Sequence, residues 1–176
     1  MQTQDEVNPN LRVLLLAVVV VIALVVYCVP ALTTGNPFWF WPTVGASASQ
    51  IVTYRDGVSI VHRPGTPGYK LLAPLCDKML KQVSGLDDSG LSEDTIREIR
   101  ARGRAIEVFY PQPVTIPTSL RTVQPNQIFI PLDDKYADWA VAYAGNDGKY
   151  WAQGLRIRPV YDEMKSAYLT IAPAAK

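Results

Sequence analysis

From Val13 to Leu32 the chain carries no charged side chain. Val13 to Val29 is almost wholly Val, Leu, Ile and Ala, with Tyr27 and Cys28 its most polar members. Twenty helical residues rise about 30 Å, the thickness of a bilayer's hydrocarbon layer. The run predicts a transmembrane helix over 11–32, after a short tail over 1–10. A juxtamembrane neck over 33–48 and one outer domain over 49–172 should follow.

Retention of the span is the expectation. A secretory signal has a shorter apolar core and small residues at its cleavage point. Here Pro30 spoils the nearest site, and Tyr27 stands where a lipobox needs a small residue before its Cys. Arg12 lies before the span, and no Lys or Arg follows it until Arg55. That asymmetry predicts a cytoplasmic amino terminus and an extracytoplasmic domain at the cell membrane. Beyond the span, Phe38, Trp39, Phe40 and Trp41 form a ring cluster bracketed by Pro37 and Pro42. Such rings favour the headgroup region, so these four are the expected membrane-interface residues and the lipid bilayer the first partner. Pro30, Gly35, Pro37 and Pro42 should keep the helix from running on into the domain.

About 125 residues remain, enough for one hydrophobic core. Setting aside Asp5, Glu6 and Arg12, the 17 basic and 16 acidic side chains reduce to a formal +2. That is far from the basic excess of a nucleic-acid binder. Cys28 and Cys76 fall in different segments and should not pair. A single histidine, His62, and the lack of CxxC or HxxxH spacing give no metal motif. No cofactor is expected.

Two β-rich runs, Gln50 to Arg55 and Val58 to Arg63, flank Asp56-Gly57, which predicts a hairpin. Leu72, Leu75, Cys76, Met79, Leu80 and Val83 recur as one helical face that Gly85 should close. Ser92 can cap a second helix ending at Gly103, with Ile96 and Ile99 as its buried stripe. Strands are expected over Arg104 to Tyr110, Gln127 to Leu132 and Trp139 to Ala144. The last should turn through Gly145-Asn146-Asp147-Gly148 into Tyr150 to Ile157. Val114 to Pro117 reads as an edge strand, and Val160 to Leu169 as a final helix. The order predicts an α+β domain, a mainly antiparallel sheet covered on one face by two or three helices.

Candidate chemistry is sparse. His62 shares a strand face with Ile60, and Cys76 sits on the apolar helical stripe, so both read as structural. Asp87-Asp88, Asp133-Asp134 and Asn146-Asp147-Gly148 lie in loops, where aspartate closes turns and caps helices; none matches a calcium loop. Arg97, Arg100, Arg102 and Arg104 form the densest positive cluster, a possible anion site. Glu93 and Glu98 stand four residues before Arg97 and Arg102, at the pairing distance. No spacing marks a Ser-Lys dyad. Trp139, Tyr143, Tyr150 and Trp151, with Asp133 and Asp134 nearby, are the candidate ligand- or partner-binding set.

These observations favour a non-enzymatic, membrane-anchored interaction or accessory module whose partner is another membrane or envelope protein. The alternative is a tethered small-ligand binder or hydrolase with a cleft between sheet and helices.

Overall fold

The computed structural model describes residues 9–34, 47–117 and 122–171. The chain separates into two compact units, 1–42 and 43–176. Among the described residues the first holds one helix, α1 (Pro9–Thr34), which passes through Pro30. Its apolar side chains are uncovered all round: Val13, Leu16, Val19, Ile22 and Leu24 are each more than half exposed. Among the described residues no helix is long and apolar enough to cross a membrane. The span expected over 11–32 is thus not itself a structural finding; a 26-residue helix with bare apolar flanks is. Phe38, Trp39, Phe40 and Trp41 lie outside the described residues.

In the second unit β1 (Gln50–Arg55) and β2 (Val58–His62) form the expected hairpin. Asp56 and Gly57 both take positive φ, 49° and 82°, as a two-residue turn between twisted strands requires. Thr66 then caps α2 (Pro67–Lys81), with proline at the first helical position. The helix stops at Gln82, three residues earlier than Gly85, whose carbonyl instead accepts from the Arg156 amide at 3.0 Å. That contact opens a short strand, β3 (Leu86–Asp87), with too few residues to show any alternation in the sequence.

Ser92 caps α3 (Glu93–Arg102) by accepting from the Thr95 amide at 3.1 Å, and Gly103 closes it. β4 (Arg104–Phe109) follows. β5 (Ile116–Pro117) pairs with β6 (Thr122–Val123) in a separate two-stranded sheet rather than along the main one. After β7 (Gln127–Pro131) come a single-turn helix α4 (Asp134–Ala137), β8 (Val141–Asn146), β9 (Lys149–Arg156) and α5 (Arg158–Ile171). The turn into β9 is Asp147-Gly148 alone, φ 52° and 87°, because Asn146 already pairs with Lys149.

The main sheet has seven antiparallel strands in the order β2-β1-β4-β7-β8-β9-β3. Leu72, Cys76 and Met79 of α2 and Val160, Tyr161, Met164 and Tyr168 of α5 close one face over Ile51, Ile106, Val108, Ile128 and Ile130. Helices do not keep to that face. Ile96 and Ile99 of α3 cover Ala105, Phe129, Val141 and Tyr143 on the other. β7, buried along its whole length, shows why: a central strand apolar on both sides must be covered on both.

Candidate ligand-binding cleft

The polar constellation set deepest in the domain is on the α3 face. Glu107, in mid-strand and 1% exposed, accepts from Tyr54 Oη at 2.7 Å and from Tyr150 Oη. Arg100 adds Nη2 at 2.5 Å and Nε at 3.2 Å. The guanidinium lies about 6 Å from the ring centres of Tyr54, Phe129 and Tyr150. Burial first, and Glu107 second, push the Tyr54 phenol far up; the same two causes act on Tyr150. Four donors saturate the carboxylate, so the group ties α3 to β1, β4 and β9 and leaves little lone-pair capacity for a substrate. Sequence reading missed it. A lone Glu between Ile106 and Val108 resembles a solvent-facing strand residue until α3 is docked over it.

The expected anion cluster is dispersed. Arg97 pairs with Asp94 three residues back instead of Glu93. Arg100 goes to Glu107, and Arg104 goes to Asp133 and Asp134, with Lys165 completing the last pair at 3.0 Å. Lys165 foremost, then Arg104, holds the Asp134 carboxyl below its ordinary value. His62 is buried, bonded to Thr53 Oγ1 at 3.0 Å, and its ring is pressed by Gly68, where a Cβ would fall 2.3 Å from Nδ1. Burial lowers its pKa. Cys76 is fully buried, its thiol pushed up to about 12 by desolvation. Asn146 and Asp147 bind Asn126 and serve the hairpin turn. Among the described residues no three His, Cys, Asp or Glu side chains converge as metal ligands would.

The four aromatic candidates part company. Tyr150 and Trp151 are neighbours on one strand and face opposite ways: Tyr150 joins Glu107, while Trp151 packs half-buried on the α2 and α5 side. Tyr143 is buried on the α3 side. Its hydroxyl makes no hydrogen bond of normal geometry, though Ser89 lies near enough to offset in part the burial that raises its pKa.

Trp139 lines a cleft. It lies not in a strand, as expected, but in the turn after α4, 47% exposed, with its ring centre 5.6 Å from that of Tyr136 in an edge-to-face arrangement. The cleft holds about 370 Å³ and lies at the sheet's short edge, between β3, the end of β9 and this turn. β3 pairs Asp87 with Gly154, where a Cβ would lie 2.0 Å from Val141 Cγ1, so only glycine allows that approach. Asp87 Oδ1 accepts from the Ser89 amide at 2.9 Å and from its hydroxyl, and Arg156 Nε reaches Oδ2 at 2.9 Å. The Ser89 bonds and then Arg156 hold the Asp87 carboxyl below its ordinary value. Asp88 points away to Gln153 Nε2 at 3.5 Å. Arg158 fastens the turn, donating from Nη1 to Ala137 O at 3.3 Å and from Nη2 to Asp138 O. Ser84 Oγ donates to Arg156 O at 3.3 Å on the cleft's far lip.

No family model, curated protein or solved structure matches the chain. The residues around Trp139 and Glu107 must therefore speak for themselves. Ser89, Asp138, Arg156 and Arg158 were not among the sequence candidates. Of the cleft's lining, only Trp139 belongs to the binding set expected from the sequence; Asp87 reads there as a turn-closing aspartate.

Proposed function

We propose that the chain is a single-pass membrane-anchored binding module, with its amino terminus cytoplasmic and its folded domain outside. The observation that carries this is α1, whose apolar side chains are uncovered on every side over residues 13–29. A bare stripe of that extent in water far exceeds the patches soluble monomers tolerate. In lipid each Val, Leu or Ile contributes roughly 0.3–0.6 kcal/mol to insertion, about 4–8 kcal/mol over the helix. Arg12 on the near side and the uncharged far flank support the orientation.

Binding is favoured over catalysis because the titratable groups that could do chemistry are committed to structure. Glu107 is saturated, His62 is wedged against Gly68 and Thr53, and Cys76 is enclosed.

The test is membrane fractionation with alkaline-carbonate and high-salt washes, combined with protease protection of right-side-out vesicles. The reading expects retention through both washes, an intact amino terminus by mass, and digestion of the domain only from outside. Release by salt, or a mature chain beginning beyond Leu32, overturns it.

A further inference from the structure

The cleft has a chemistry of its own. Its two carboxylates, Asp87 and Asp138, face two guanidinium groups, Arg156 and Arg158, so the lining charge cancels. An anion entering would meet both aspartates, and a cation both arginines; an uncharged ligand rich in donors and acceptors meets no penalty. Arg156 spends only Nε on Asp87, and among the described residues its Nη donors take no partner. Ser84 and Ser89 hydroxyls donate inward to Arg156 O and Asp87, which leaves their oxygens able to accept.

The remaining wall is the indole of Trp139. The half-exposed Trp139 sits beside a residue of unusual backbone conformation. Ala140, fully buried, sits at φ +47°, a left-handed conformation that non-glycine residues rarely adopt. Arg158 clamps the same turn, and Tyr136 props the ring edge. An aromatic face with a negative quadrupole suits aligned C–H groups, and a volume of about 370 Å³ lies within the small-molecule range.

We propose that this cleft binds a neutral carbohydrate of one or two rings. The sugar's C–H face lies on Trp139, and its hydroxyls are shared among Asp87, Arg156 and the two serines. The proposal deepens the reading of the domain as a binding module, but needs nothing of α1, so its failure leaves the anchor untouched.

The test uses the full chain in a detergent without a sugar headgroup, with ¹⁵N-labelled indoles. The Trp139 cross-peak is identified by its loss in Trp139→Phe. Maltose, cellobiose and N,N′-diacetylchitobiose are titrated, with galacturonate and glucosamine as charged controls and glycerol as a ringless polyol. At least one neutral disaccharide should shift the Trp139 signal saturably, with a Kd of about 0.1–10 mM. In the variants, read by saturation-transfer NMR on the sugar's own signals because substituting Trp139 removes the indole reporter, Trp139→Ala should weaken binding at least about tenfold, Trp139→Phe less, and Asp87→Asn several-fold, with the thermal midpoint unchanged in Trp139→Phe. Should Trp139→Ala not fold, the Phe and Asn variants carry the comparison. No saturable shift with any neutral sugar, tighter binding of either charged control or of glycerol, or affinity indifferent to Trp139→Phe and Asp87→Asn overturns the proposal.

Discussion

Replacing Arg100 by Met keeps the length and apolar bulk that pack against Tyr54, Phe129 and Tyr150 but strips Glu107 of two of its four donors. Glu107's side chain is 2% exposed and Arg100's 31%. Removing one partner of a buried ion pair costs about 3–5 kcal/mol. Water can reach the Arg100 side, and the two phenols remain, so the lower end applies, about 3 kcal/mol. For a domain of this size 1 kcal/mol moves Tm by about 3–5 °C, which gives a fall of roughly 10–15 °C. Glu107→Gln should cost less, about 2 kcal/mol, because the orphaned guanidinium can hydrate. The double variant should cost clearly less than the two singles added, the mark of a coupled pair. Near-UV circular dichroism during thermal unfolding of the full chain in micelles reads all three. A loss below about 1 kcal/mol in Arg100→Met, or strict additivity, would refute the view that this ion pair pins α3 to the sheet.

Gly68→Ala should destabilise by about 1–3 kcal/mol although alanine is the better helix former, because its Cβ would strike the His62 ring pinned by Thr53. A denaturant midpoint that rises instead, or one still lowered when His62→Ala removes the ring, would contradict that packing. At high pH the tyrosines set a limit. Burial lifts Tyr161 and Tyr168 to about 12 in the fold, against about 10 in an unfolded chain. Their stabilisation is complete below pH 10 and is lost as pH climbs through 10 towards and past 12. Absorbance at 295 nm should show part of the phenols ionising only as far-UV dichroism collapses. Full ionisation near pH 10 with the dichroism intact would contradict this.

Legibility in the sequence followed the range of the interactions. Both hairpins were visible because Asp-Gly pairs at φ > 0 are a local demand, met at Asp56-Gly57 and Asp147-Gly148. Ser92 and Gly103 marked α3 for the same reason. β3 and α4, at two and four residues, carry no period to read. The placing of helices on both faces was hidden because apolar alternation does not say which helix returns to which side. In the site, adjacency alone could have separated Tyr150 from Trp151. The partnership of Arg100 with Glu107, and of Asp87 with Arg156 across 69 positions, exists only once the sheet closes.

Most directly at issue is whether α1 lies in lipid. A Val20→Cys substitution on a Cys28→Ser background places one thiol in mid-helix, with Cys76 shielded inside the domain core. Treated with a charged maleimide in intact membranes, Val20→Cys should stay unmodified and react only after denaturation in sodium dodecyl sulfate. Labelling in intact membranes as fast as after denaturation would show that α1 is bathed in water and that the chain is not anchored by it.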